Sequence, residues 1–197
     1  MVDRHGRTRP QLLSLGRRLE YATLAWNIVG IVVLAIAAVS ARSVALAGFG
    51  LDSLIEIGAS VVVLWELAGV DEQRSRRALR AIGLAFVALA LYLALQSTVV
   101  LAVGFHPRHS TTGIVWTAVT AGAMFTLAAG KARTGAALDN AVLRTEGKVT
   151  LVDGILAMAV LLGLVLNADL GWWWADPAAG YVLVYYGVKE ALAALMH

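Results

Sequence analysis

The sequence has no cysteine, no histidine in its apolar segments and few charged residues, and each scarcity excludes a kind of chemistry. Without cysteine the chain has neither disulfide bonds nor thiolate metal ligands. Charged residues make up 15% of the 197 residues, well below the roughly 25% of soluble domains. A ligand bound inside the apolar segments must therefore be held by oxygen. The histidines all lie outside those segments: His5, His106, His109 and His197.

Hydrophobic residues make up 59% of the chain, and the mean hydropathy is +0.75. This composition predicts an all-α integral membrane protein. About 20 apolar residues cross the hydrocarbon layer as a helix, and six stretches of about that length predict a six-helix transmembrane bundle. They are Tyr21 to Ser40, Ser43 to Val70, Ala81 to Phe105, Thr111 to Gly130, Val149 to Asn167, and Asp176 to Met196.

The segment before the first stretch is a basic arm without a small-residue cleavage site, so we expect a retained helix and not a signal peptide. The predicted organisation is a cytoplasmic arm (residues 1–19) and a transmembrane domain (residues 20–197), with no soluble domain after it. Asp176-Pro177 predicts the start of the sixth helix, with Asp176 as N-cap and Pro177 as the first helical residue.

The basic residues lie in alternate connections, and this pattern predicts the orientation. Thirteen of the sixteen Lys and Arg residues lie before span one, between spans two and three, or between spans four and five. The other three are Arg42, Arg108 and Lys189. By the positive-inside rule both termini are cytoplasmic. We expect the protein in a plasma or inner membrane, with lipid and no nucleic acid as partner. The set precedes span one (Arg4, Arg7, Arg9, Arg17, Arg18), separates spans two and three (Arg74, Arg76, Arg77, Arg80), and separates spans four and five (Lys131, Arg133, Arg144, Lys148).

Three acids interrupt the apolar stretches: Asp52 and Glu56 in the second and Asp153 in the fifth. A charge in a lipid-facing helix costs at least about 2.5 to 3.5 kcal/mol, so such acids usually face a bundle interior. Asp52 and Glu56 share a helix face because they are four residues apart. At 1.5 Å per residue, Glu56 and Asp153 lie about 20 and 18 Å below the outer surface. The sequence therefore predicts one shared cation site near the midplane.

Glu146 and Thr150 fall on the same stripe of the fifth helix as Asp153. Glu146 is a candidate fourth ligand or a residue at the mouth of the site, and Thr150 or water are the alternative fourth ligands. The alternative is a surface acid paired with Arg144 and Lys148. For the three deeper acids the alternative is a purely structural, hydrogen-bonded role.

Clustered carboxylates repel one another when all are ionised, so such a cluster holds protons until a cation displaces them. The same side chains thus offer a metal site and a route to proton exchange. If the bundle exposes the site to alternate sides, inward proton flow can drive metal out.

Two segments carry a family resemblance. Gly50 to Ser60, GLDSLIEIGAS, closely resembles the second helix of the cation diffusion facilitator family, in which Asp or His precedes an Asp by four residues. Here Asp52 and Glu56 hold those positions. Arg144 to Asp153, RTEGKVTLVD, looks like the fifth helix, in which His or Asp precedes an Asp by four residues. Asp153 matches the second position, and Val149 replaces the first ligand.

The resemblance implies a six-helix protomer, a homodimer, and efflux of a divalent metal, typically zinc, in exchange for protons. It implies no cofactor beyond the transported ion. The family's histidine-rich loop, C-terminal metal-sensing domain and auxiliary zinc site are absent from this sequence. Because imidazole is also missing and carboxylate suits harder ions, manganese or iron are alternatives to zinc.

Two other functions compete with transport. A partner subunit or scaffold would keep the bundle while the altered helix-five motif has lost turnover. An intramembrane aspartyl protease would use a Gly-x-Gly-Asp motif, but Gly48-Phe49-Gly50-Leu51-Asp52 has one residue too many. The insertion rotates Asp52 by about 100° relative to the glycines, so we expect a transporter and not an enzyme.

Overall fold

The computed structural model describes residues 8–67 and 72–195, and this part of the chain contains helices and no strands. Each predicted stretch corresponds to one helix. The predicted ends at Val70 and Met196 lie outside the described residues, as do Arg4 and Arg7. The helices are α1 (Arg9–Ala41), α2 (Val44–Leu67), α3 (Glu72–Val103), α4 (Thr111–Leu138), α5 (Ala141–Leu170) and α6 (Ala175–Leu195).

Several helices extend beyond the apolar stretches that predicted them. α1 begins at Arg9, so the expected division between residues 19 and 20 falls inside a helix. α4 continues from Gly130 to Leu138, and α5 begins at Ala141 instead of Val149. The prediction that Lys131 and Arg133 belong to a connection was therefore wrong, because apolar length does not mark where a helix stops. The connection is only Asp139 and Asn140.

The helix ends carry the caps that short connections need. Asp139 ends α4 in the left-handed region with φ 49°, and Asn140 then caps α5 by accepting the Leu143 N–H. Ser110 caps α4 in the same way. These caps satisfy backbone groups that a helix end leaves unpaired, and they let α4 and α5 follow each other as a tight antiparallel pair.

Successive helices alternate in direction, which gives the bundle two distinct ends. We call the end with the start of α1 and the α4–α5 turn the N-terminal end, where Gly16 packs against Leu143. At the opposite end the Arg108 N–H donates to the Ala41 carbonyl (2.8 Å). Asn167 Nδ2 there donates to the Pro107 carbonyl (3.0 Å), so the end of α1, the α3–α4 connection and the last turn of α5 are tied together.

Asp176 was predicted to cap its own helix, and the structure corrects this. α6 begins one residue earlier, and the buried Asp176 carboxylate accepts hydrogen bonds from Ser43 Oγ and from the Val44 N–H (2.9 Å) and Ala45 N–H (3.4 Å). It therefore caps α2, more than 130 residues earlier in the chain. The sequence pattern identified the residue type that caps a helix but not the helix that it caps.

The outer surface of the bundle is apolar, and several charged side chains are buried. Val39 is 79% exposed whereas Glu56 is 5% exposed, and large apolar side chains cover the outer faces of the helices. Of the described helices, α1, α3, α4 and α5 contain segments long and apolar enough to cross a membrane. An apolar exterior with the charged side chains turned inward, beside a hydrophobic core, is what a hydrocarbon solvent favours.

α5 packs closely against α4 and α6 because glycine lets these neighbours approach. A Cβ at Gly147 would be 3.0 Å from the Ala132 backbone nitrogen on α4, and one at Gly163 would be 2.9 Å from the Ala175 carbonyl oxygen on α6. Small residues at such crossings are the usual way in which membrane helices pack. They fix the depth and rotation of α5, and with them the positions of its polar side chains.

The Asp176 cap yields a stability prediction. We expect Asp176→Ala to lower the free energy of unfolding by about 1 to 3 kcal/mol, because Ser43 and the first N–H groups of α2 lose a buried acceptor. Thermal melting of the purified protein in detergent measures this. Asp169→Ala, at an exposed acid near the same end, is the matched control, and equal melting of the two variants would contradict the assignment.

Candidate cation site

The predicted acids meet in the interior between α1, α2 and α5. We call Asp52, Glu56 and Asp153, with Asn27, the acid layer. All four side chains are buried, and Asn27 Nδ2 donates to Glu56 Oε2 (2.7 Å). The carboxyl groups of Glu56 and Asp153 are close enough to act directly on each other, and Asp52 acts electrostatically on both. Helices two and five thus bring their acids together.

Two oxygens of the acid layer lack a donor. Glu56 Oε1 and Asp153 Oδ2 are buried and receive no hydrogen bond from any residue that the structure describes. A buried carboxylate oxygen without a partner is costly. Two carboxyl groups that face each other can be satisfied together by a proton, a cation or a water molecule between them. The pair is therefore suited to exchanging a proton for a cation.

A second polar layer lies closer to the N-terminal end, and we call it the lysine layer. Its centre is Lys131 of α4, which is fully buried. Lys131 Nζ donates to Glu20 Oε2 (3.0 Å), Glu146 Oε2 (3.2 Å) and Thr150 Oγ1 (3.1 Å). An ammonium group has three N–H donors, so all three are used.

The two layers are joined by helix spacing. Glu20 and Asn27 are seven residues apart on α1, and Glu146 and Asp153 are seven residues apart on α5. Seven residues are nearly two full turns, about 10 Å along the same helix face. The layers therefore stack along the bundle axis, and the charges of Lys131 and Glu146 act on Glu56.

Glu146, Thr150 and Asp153 all point into the bundle, as the predicted stripe requires. The pairing expected for a surface Glu146 was wrong, however. Glu146 binds Lys131, while Arg144 pairs with the exposed Asp139 (3.4 Å) and Lys148 is exposed. The reason is that α4 is long enough to carry a lysine into the interior opposite Glu146.

Sequence reasoning missed the contribution of α1. Its buried stripe contains Glu20, Thr23 and Asn27 at spacings of three and four residues, in the middle of an otherwise apolar face. That spacing was visible in the sequence and is the signal that could have identified them. Glu20 was overlooked because it precedes the predicted span, and Asn27 because one amide barely alters an apolar stretch.

Among the residues that the structure describes, no group of three or more His, Cys, Asp or Glu is arranged to hold a metal ion. A scan of protein-family models and a search of curated proteins find no match to this chain. The resemblance to the cation diffusion facilitator family therefore depends on the segments in helices two and five.

The lysine layer can be tested with a double-mutant cycle. We expect Lys131→Gln to destabilise the protein by about 3 to 5 kcal/mol, because it leaves the buried Glu20 and Glu146 without a cation. Glu20→Gln should cost less, about 1 to 3 kcal/mol, because Lys131 keeps Glu146 as its partner. The double variant should lose less stability than the two single variants lose together, by at least about 1 kcal/mol, since the two residues interact directly. Denaturation of the purified protein measures all three values.

The surface pair of Arg144 and Asp139 supplies the control, because it is an ion pair at exposed positions, between the α4–α5 turn and α5. Its cycle, with Arg144→Gln and Asp139→Asn, should give a coupling of no more than about 0.5 kcal/mol. Equal coupling energies for the two pairs would show that the buried ion pair contributes no more to stability than the exposed pair.

Proposed function

We propose that this protein is a secondary transporter, not an enzyme, and that it exports a divalent metal cation in exchange for protons. Zinc is the first choice of ion, with manganese or iron as alternatives. The observation that supports this most is the buried pair of Glu56 and Asp153, whose carboxyl groups face each other and keep oxygens without a donor. Such a pair exchanges protons for a cation without any further chemistry.

The proposed setting is a six-span bundle in the cell membrane with both termini in the cytoplasm. The apolar exterior and the four helices of sufficient length support the membrane location. The basic residues still favour a cytoplasmic N-terminal end after the buried Lys131 is set aside, because exposed Arg17, Arg18 and Lys148 lie near it. The proposed homodimer follows from the family resemblance alone.

The proposed ligands are Asp52, Glu56 and Asp153. Rotation of the Asp52 side chain toward the facing pair would create a shell of three carboxylates, to which water adds the remaining ligand. Glu146 was predicted as a fourth ligand, but its Oε2 is bound by Lys131. Glu146 would join a metal shell only after leaving Lys131.

The proposed cycle uses the same side chains in two states. In one state the acid layer holds protons, and in the other it holds a divalent cation, so the two occupants exclude each other. Alternating exposure of the layer to the two membrane sides then couples their movements in opposite directions. Asn27 supports both states because its amide holds the Glu56 side chain in place.

A second candidate function is a partner subunit or scaffold that does not transport. Val149 favours it, because an apolar side chain stands where the resembled family places a helix-five ligand. The two functions differ in whether the purified chain moves ions by itself.

Proteoliposomes containing the purified protein test transport directly. We expect zinc or manganese to elicit proton flux, and Asp153→Asn or Asp52→Ala to reduce that flux to the level of protein-free vesicles, because each removes a ligand and an exchangeable proton. A fluorescent pH indicator inside the vesicles provides the measurement.

The matched control for this flux assay is Asp169→Asn, an exposed acid on the same helix as Asp153, which should leave the flux intact. Absence of flux in the wild-type protein would favour the partner-subunit alternative. Normal flux in Asp52→Ala and Asp153→Asn would exclude the acid layer as the transport site.

Val149 gives a prediction about ion choice. It is half-buried and lies one helical turn from Asp153, so Val149→His places an imidazole beside the acid layer. We expect the zinc-to-manganese transport ratio to rise by about tenfold, because imidazole favours zinc. Val149→Ala removes the isopropyl group without adding a ligand and should leave the ratio unchanged. An equal zinc-to-manganese transport ratio in Val149→His and Val149→Ala would show that residue 149 does not contact the transported ion.

A further inference from the structure

Lys131 stands between the N-terminal end of the bundle and the acid layer. On the N-terminal side of it, a cavity of about 170 Å³ is lined by Gly16, Asn140 and Leu143, among others. Gly16 is four residues before Glu20, and Leu143 is three residues before Glu146, so the cavity lies about one turn from the lysine layer. The acid layer lies about two turns beyond. Lys131 therefore lies at a depth between this cavity and Glu56.

The surroundings of Lys131 resemble those of a bound cation. Three oxygens from three side chains, those of Glu20, Glu146 and Thr150, surround its ammonium group at 3.0 to 3.2 Å. Oxygen donors of this kind also suit hard metal ions. The two carboxylates carry one negative charge more than Lys131 neutralises. Glu20 Oε1 is fully buried and has no hydrogen-bond partner among the described residues.

We propose that Glu20, Glu146 and Thr150 form a second cation site on the route to the acid layer and that the Lys131 ammonium is its internal occupant and gate. This inference rests on the proposed function. With Lys131 in place, its positive charge and its stem close the route. When the flexible lysine side chain swings away, the two carboxylates and the hydroxyl are free to receive an entering divalent cation.

The absence of cysteine from the chain makes this gate directly measurable. Ser60 is the probe position: it is buried on α2, four residues beyond Glu56 toward the N-terminal end. Ser60→Cys supplies the single thiol, and a small cationic methanethiosulfonate reagent labels it in purified, detergent-solubilised protein. The assay uses no metal and no transport, so its result is independent of the flux measurement.

We expect slow labelling of Ser60→Cys in the background that keeps Lys131. Labelling should become faster by at least about tenfold when Lys131→Gln is combined with Glu20→Gln, because the charge and the ion pair that close the route are both gone. This double change keeps the net charge of the lysine layer, which favours folding. Lys131→Gln alone is the second variant and should give the same acceleration.

Ser97 provides the matched control, because it is as fully buried as Ser60, lacks a partner for its Oγ among the described residues, and lies on α3 toward the opposite end. Labelling of Ser97→Cys should change by less than about twofold in the same backgrounds. Unchanged labelling of Ser60→Cys would overturn the gate. Equal acceleration at both serines would overturn it as well, since Lys131 would then merely hold the bundle together.

Discussion

Two neighbouring carboxyl groups buried in the interior, those of Glu56 and Asp153, are the feature on which the proposed cation site depends. Glu56 and Asp153 come from antiparallel helices, and Asn27 satisfies one oxygen of the pair while others keep no donor. Isolated charges in such a place are expensive. The remaining features of the interior either reduce that cost or hold the pair in position.

The scaffold fixes this pair through contacts that are distant from it. Gly147 and Gly163 let α5 approach α4 and α6 closely, so Glu146 and Asp153 enter the interior at defined depths. Asp176 anchors the start of α2 to α6, which sets the depth of Asp52 and Glu56. Lys131 then balances part of the negative charge from one layer away. The interior thus holds two stacked polar layers beside a hydrophobic core.

Much of this arrangement was predictable from local pattern. Apolar length located the six helices, and the four-residue spacing of Asp52 and Glu56 placed both acids on one face. The stripe through Glu146, Thr150 and Asp153 correctly predicted which side of α5 faces inward. Each of these inferences uses only the periodicity of a single helix.

The unpredicted features all depend on which helices become neighbours. The partner of Glu20 is 111 residues away, and the helix end that Asp176 caps is more than 130 residues away. Lys131 looked like a loop residue because hydropathy falls near the end of α4, while the helix itself continues to Leu138. Periodicity assigns a side chain to a face, but only tertiary packing determines what that face meets.

Calorimetric titration of the purified protein with zinc or manganese, repeated in buffers of different ionisation enthalpy, tests most directly whether the facing pair exchanges protons for a cation. We expect about one or two protons to be released for each bound ion, and Asp153→Asn to lose both the binding and the release. Binding without any proton release, or equal binding by Asp153→Asn, would contradict the assignment of Glu56 and Asp153 as the exchange site.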